Sequence, residues 1–383
     1  MESSSSSSPD SSTPRASESP LASNSSAPSV IKRALELALS GDPESQLVAA
    51  KEIRRLTKTS HRCRRLLNDA IPPLVSMLRS PDVNSSHESA LLALLNLAVK
   101  DDRNKLRIVK AGSLEPIIGF LKSKDGNLQE HATAMLLTLS ASTAIKLFIS
   151  SSGAVPLLVE ILQHGSAQAK IDSVVALSNL LSINSNLSVM REKSPVPAIA
   201  TVLRTCKKSS KAAEKGCLLM EALMAFEDCR VALTKEEGGV LGVVEVLESG
   251  SQQGRENAVG ALLAMCESDR CKYREPILKE GVIPGLLELT VQGSAKAQQK
   301  AKILLKLLRD NPYPRSELQP DTLENIVSSI ISHIDGDEQC SKAKKMLAEM
   351  VQVSMEQSLR HLQRRAVVCT SNEFSVTSEV QSK

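Results

Sequence analysis

The chain has 383 residues and a net charge of +4, with 2% aromatic residues and no Trp. Lys and Arg nearly balance Asp and Glu, so no charge excess points to nucleic acid. So few aromatics exclude a core built on large rings, whereas Leu, Ile, Val and Ala suffice for stacked helices.

In chain order, residues 1–28 are Ser-rich and carry no apolar pattern, so a disordered tail is expected. Ser8-Pro9, Thr13-Pro14 and Ser19-Pro20 offer targets to proline-directed kinases; an inert solubilising tail is the simpler reading. There is no apolar signal region and no Met-Gly start for myristoylation. No apolar run approaches the ~18 residues that span a membrane. The expected location is cytoplasmic, nuclear or both. The eight Cys include no Cys-x-x-Cys pair and read as small core residues in a reducing compartment.

Residues 29–58 predict two helices, around Ile31–Leu39 and Ser45–Thr57. From His61 to Leu308 the chain then repeats itself. The unit is clearest at 88–122: a Leu/Ala-rich helix, a short charged helix closed by Gly112, and a helix with Pro116 near its start. Turns that mark the period fall at Asp69, Gly112, Gly153, Ser194, Gly238 and Gly281, with gaps of 43, 41, 41, 44 and 43 residues. Periods of about 40–47 residues belong to helical solenoids. Five residues after each turn stands Leu74, Ile117, Leu158, Ile199, Val243 or Leu286. Further apolar residues two, eight and nine past the turn complete a helical stripe, broken by Thr290. Pro three or four past most turns suits a first helical turn, and Gly suits a left-handed stop; Asp69 and Ser194 depart from it. The helix preceding each turn block is apolar almost all round, so it must be buried, and only stacking of repeats can bury it.

The short helix of the first full repeat is placed near Arg62–Asn68, and Ser80–Ser86 is read as a loop. Lys207, Lys208, Lys211 and Lys215 are read as the matching, solvated loop of the fourth repeat, with a nuclear-localisation signal as the lesser reading. Beyond Asn311-Pro-Tyr-Pro314, a capping box at Asp321-Thr-Leu-Glu324 and a long helix from about Gln339 to Gln363 suggest a degenerate terminal repeat. Residues 366–383 read as a polar tail.

Gly153-Ala-Val-Pro-Leu-Leu158 followed by Ala176-Leu-Ser-Asn-Leu180 resembles the armadillo repeat. HEAT repeats share the length without this combination. Order and spacing look most like the armadillo region of plant U-box ubiquitin ligases and their relatives without a U-box, over roughly residues 30–350. The resemblance implies an all-α, right-handed superhelix of six full repeats plus degenerate terminal ones, with the solenoid at 29–365.

In such proteins the third helices line a concave groove, and the Asn of Ala-Leu-x-Asn-Leu can bond an extended peptide backbone. A side-chain amide matches the alternating donors and acceptors of a strand. The ladder positions here are Arg55, Asn96, Thr138, Asn179, Ala222, Ala264 and Lys306. Only Asn96 and Asn179 carry the amide; each could instead hold its neighbouring turn. Nuclear-import receptors of this fold also need Trp, which is absent. No phosphate loop or Gly-x-Ser-x-Gly motif occurs, and the six His lack metal spacing; His131 reads as a helix-surface residue. The stretch before residue 30 is too short and polar for a U-box, so ligase activity is not expected to carry over. The expectation is a non-catalytic scaffold for protein partners, without cofactor, nucleic acid or membrane insertion. The alternative is an accessory that selects substrates for a separate ubiquitin ligase.

Overall fold

A computed structural model of the chain describes residues 27–80 and 84–309. The expected Ser-rich tail, the capping box at Asp321, the helix from Gln339 and the tail at 366–383 lie outside these residues. The described residues form twenty α-helices and one 3-10 turn, with no strand among them.

Helices α1 (Ala27–Leu39) and α2 (Pro43–Thr57) make a first repeat without its short helix. Six three-helix repeats follow. They are α3 (His61–Leu66), α4 (Ile71–Met77) and α5 (Asn84–Ala98); α6 (Asp102–Lys110), α7 (Leu114–Leu121) and α8 (Gly126–Ser140); and α9 (Lys146–Ser151), α10 (Ala154–His164) and α11 (Ala167–Leu180). Next come α12 (Asn184–Glu192), α13 (Val196–Thr205) and α14 (Lys211–Leu223); α15 (Glu227–Lys235), α16 (Gly239–Ser249) and α17 (Gln252–Ser268); and α18 (Arg270–Lys279), α19 (Ile283–Gln292) and α20 (Ala295–Leu308).

The turn before each second helix works as its sequence implies. Gly112, Gly153, Gly238 and Gly281 all take positive φ, between 65° and 83°. That region penalises a Cβ, and Gly has none. Ser194 adopts the same turn at φ 51° despite its side chain, so this departure is one of composition and not of geometry. Asp69 is a real departure: it sits in the 3-10 turn Asn68–Ala70, and its carboxylate takes Arg107 of the next repeat at 2.9 Å. Pro72, Pro197 and Pro284 enter second helices at their first residues, where no backbone donor is lost. Pro276 lies inside α18, which the sequence reading did not single out.

Third helices share a start of their own. Asp42, Asp125, Ser166, Ser210, Ser251 and Ser294 each cap one, and each side chain accepts a backbone N–H from within the first turn. These caps fix where the apolar helices begin. The six residues five past the turns are all buried, and one continuous apolar cluster runs from Ala34 to Leu308. Consecutive third helices pack along much of their length, from α2 through α20, whereas consecutive second helices touch sparsely except α13 and α16. Closer packing on one side bends a stack toward that side, so the third helices line the inner face.

Three local readings need correction. The short helix of the first repeat ends at Leu66, and a 3-10 turn takes the next residues. Helix α5 begins at Asn84, so the end of the segment read as a loop is helical. The Lys-rich loop is not simply solvated. Lys208 Nζ donates to Leu203 O and lies 2.9 Å from Glu245, while Lys211 and Lys215 belong to α14. Lys208 thereby satisfies a carbonyl left open at the end of α13.

Candidate functional site

The inner face is built from one register position on each third helix. Asn96, Thr138, Asn179, Ala222 and Ala264 are half-exposed on helices otherwise largely buried, and Arg55 and Lys306 are exposed at the two ends. The structure therefore brings the predicted ladder to one accessible line, at the turn-to-turn pitch of the repeats.

Each predicted residue also has a bond within the chain. Asn96 Nδ2 donates to Arg54 O at 2.9 Å, one repeat back, and Asn179 Nδ2 donates to Ser140 Oγ at 3.1 Å. Neither holds its own turn. Each amide is pinned to the preceding third helix and keeps a second N–H and its carbonyl oxygen. Thr138 Oγ1 donates to Ala134 O at 3.0 Å in its own helix. The Arg55 guanidinium meets Glu52 at 2.6 and 2.9 Å and holds that carboxyl below its ordinary pKa. Arg55 brings charge, not an amide, to the first rung.

The repeats are also stitched by side chains that the sequence reading missed. Ser166 Oγ donates to Glu130, and Ser251 Oγ to Glu214, so a capping Ser also reaches the previous third helix. Arg79 Nη2 donates to Gly112 O at 2.7 Å, Gln163 Nε2 to Lys193 O at 2.7 Å, and Arg204 Nη1 to Glu237 O at 2.9 Å. All three lie ten residues past a turn and hold the next one. Buried Asn104 Nδ2 bridges Leu97 O and Arg64 O, both at 3.0 Å. Its counterpart Asn186 bridges Leu180 O and Ser150 Oγ at 2.9 and 2.7 Å. A search for polar residues at the repeat period would have found these two. One tie skips a repeat: Lys300 on α20 meets Glu221 on α14 at 2.6 Å, directly over Gly260 of α17. A Cβ at Gly260 would lie 2.2 Å from Glu221 Oε1, so the crossing needs that Gly.

His131 Nδ1 lies 3.7 Å from Glu88 and makes no hydrogen bond among the described residues. Burial pushes Cys229 and Cys266 up to about 11, which leaves both as thiols, and Cys217 higher still. Asp172 is 7% exposed; burial raises its pKa, against a hydrogen bond from Gln168, with Glu130 adding repulsion. Among the described residues no group of three or more His, Cys, Asp and Glu converges as metal ligands would. No described helix is long and apolar enough to cross a membrane. A cleft of about 210 Å³ beside Gln129, Leu157 and His164 falls below the ~300–1,000 Å³ usual for small-molecule sites.

The family model for the plant U-box protein ARM repeat region matches residues 29–327. U-box domain-containing protein 17 of Arabidopsis thaliana is 33% identical over 286 residues, covering 72% of this chain and 38% of that protein. U-box domain-containing protein 45 of the same plant is 30% identical over 270 residues, covering 68% and 34%. The chain thus spans little more than a third of the length of these relatives. The crystal structure of an engineered protein superposes with a TM-score of 0.59 at 20% identity, over 86% of this chain and 77% of that one, which is a likeness of fold. Six three-helix repeats, four of them with a Gly turn, a ladder carrying two Asn and a family match across most of the length agree: the chain belongs to the family of plant U-box protein ARM repeat regions, and its fold is the armadillo solenoid.

Proposed function

We propose that this chain is a non-catalytic scaffold that binds extended polypeptide segments along the inner face of the solenoid. The observation that carries the reading is the pinned amide line. Asn96 and Asn179 are oriented by bonds to the preceding repeat and retain a donor and an acceptor toward the groove. A strand presents the complementary pair at each residue. Thr138 supplies a lesser polar contact between them, and Arg55 a charge at the entrance. To test this, the partners captured by the intact chain are compared with those captured by an Asn96→Ala/Asn179→Ala variant. Loss of partners with the helical signal retained supports the groove; an unchanged set overturns it.

A second reading rests on the relatives, whose names carry a U-box. In it the groove selects substrates for a separate ubiquitin ligase. Reconstitution from purified components separates the two. Ubiquitin transfer to a captured partner only when a ligase is added, and stronger with this chain present, supports the accessory role. Transfer by the chain alone contradicts a non-catalytic scaffold.

A further inference from the structure

The floor of the inner face can be followed by register, four residues before and three after each ladder position. On α2 these positions and the ladder residue itself are Lys51, Arg55 and Lys58; on α20 they are Lys302, Lys306 and Arg309. All six are exposed. Arg55 is paired with Glu52, whereas Lys51, Lys58, Lys302 and Lys306 have no side-chain ion pair among the described residues. On the five third helices between, the same register positions carry Leu, Val, Ala, Gly, Ser, Thr and Asn, and Glu267 is the one charged residue. Among the described residues the floor between α2 and α20 is therefore a channel without net basic charge, bearing Glu267 and the Glu221–Lys300 pair over Gly260, with a basic triad on each of those two helices.

We infer that the groove takes an extended polypeptide whose acidic groups flank an uncharged stretch. This deepens, and rests on, the scaffold reading above. Six helix spacings separate α2 from α20. At ~8–10 Å each they make about 50–60 Å, or about 15–18 extended residues. Acidic groups at that separation meet Lys and Arg at both ends, while the intervening backbone meets the Asn96 and Asn179 amides and small side chains. A nucleic acid fits poorly, because its phosphates would continue across that floor without net counter-charge. Two weak contacts joined by one segment act together, so affinity depends on their spacing and not only on total charge.

The experiment is fluorescence anisotropy on the full chain with labelled synthetic peptides. The first probe has three Asp at each end of about fifteen Ala, Ser and Gln residues. The second has the same composition with all the Asp at one end, the third replaces Asp by Lys, and the fourth is oligothymidylate. The two-ended Asp peptide should bind at least about tenfold tighter than the one-ended peptide. Lys51→Glu/Lys58→Glu and Lys302→Glu/Lys306→Glu should each bring it down to the one-ended affinity with helical content unchanged. Equal affinity for both Asp peptides, equal or tighter binding of the oligonucleotide or Lys peptide, or indifference to either charge reversal overturns the inference. If no peptide binds while Asn96→Ala/Asn179→Ala still loses captured partners, the charge pattern is refuted and the groove stands. If partner capture is indifferent to the Asn variant as well, the scaffold reading fails with it.

Discussion

Ser166 and Glu130 meet across the seam between α8 and α11: Ser166 Oγ donates to Glu130 Oε2 at 2.5 Å and accepts the Ala169 N–H at 3.1 Å. One hydroxyl thus starts a helix and ties it to the helix before. Ser166→Ala should cost roughly 0.5–2 kcal/mol for the lost cap. A double-mutant cycle with Glu130→Ala should show a coupling of about 0.5–1 kcal/mol. Ser210 caps α14 in the same way, but Ile171 stands where the previous repeat would need Glu. Ser210→Ala should therefore show the cap loss without coupling to position 171. Urea midpoints of the variants check both statements.

Ser194 occupies, at φ 51°, a turn that four of its equivalents fill with Gly. The left-handed region costs a residue with a Cβ about 1–2 kcal/mol, against a smaller entropic cost for Gly. Ser194→Gly should raise stability by about 0.5–1 kcal/mol. Gly112→Ala should do the reverse, because its Cβ would lie 2.2 Å from Arg79 Nη2 as well as in strained backbone. Thermal unfolding of the pair, followed by circular dichroism, gives opposite shifts.

Asn104 supplies two hydrogen bonds in a site 2% exposed. Asn104→Ala leaves the Leu97 and Arg64 carbonyls without that donor and should cost about 2–3 kcal/mol. Lys110→Ala, on the exposed face of the same helix, should change stability by less than about 0.5 kcal/mol. Equal effects of the two in denaturant titration would contradict a structural role for the buried amide.

Asp172 predicts a pH effect with a definite sign. Burial raises its carboxyl pKa in the folded chain above the ordinary carboxylate value of 3.8, so at neutral pH folding must hold a charge that the site disfavours. Above 3.8 the unfolded chain has lost that proton more readily than the folded one, and stability falls as pH rises through the gap. Asp172→Asn keeps an acceptor for Gln168 and removes the charge. The variant should melt higher than the parent at pH 7.5, with an advantage that shrinks as pH falls toward 3.8. A constant difference across that range would point to packing instead.

The repeat was legible because burial imposes period on apolar residues and backbone geometry imposes Gly on turns. Leu74 through Leu286 and the four turn glycines announce themselves on those grounds. The ladder was legible for a related reason: Asn96 and Asn179 are polar interruptions in helices that otherwise exclude polarity. The stitching was not. A capping Ser looks the same whether or not a Glu of the previous repeat stands beside it, and Arg79 looks like any surface Arg. Those ties depend on which side chains two stacked repeats bring within reach, which no single repeat encodes. Lys208 was misread for the same reason, since its carboxylate partner Glu245 lies in the next repeat.

Lys300 and Glu221 join repeats that are not neighbours. A stack held solely by adjacent contacts peels under tension one unit at a time. Here the pair must part before the fifth repeat swings out of line, so the fourth to sixth should resist a pulling force together more than a stack of adjacent contacts would. On that ground the fourth to sixth repeats should be the stiffer part of the described solenoid and the opening repeats the more compliant part.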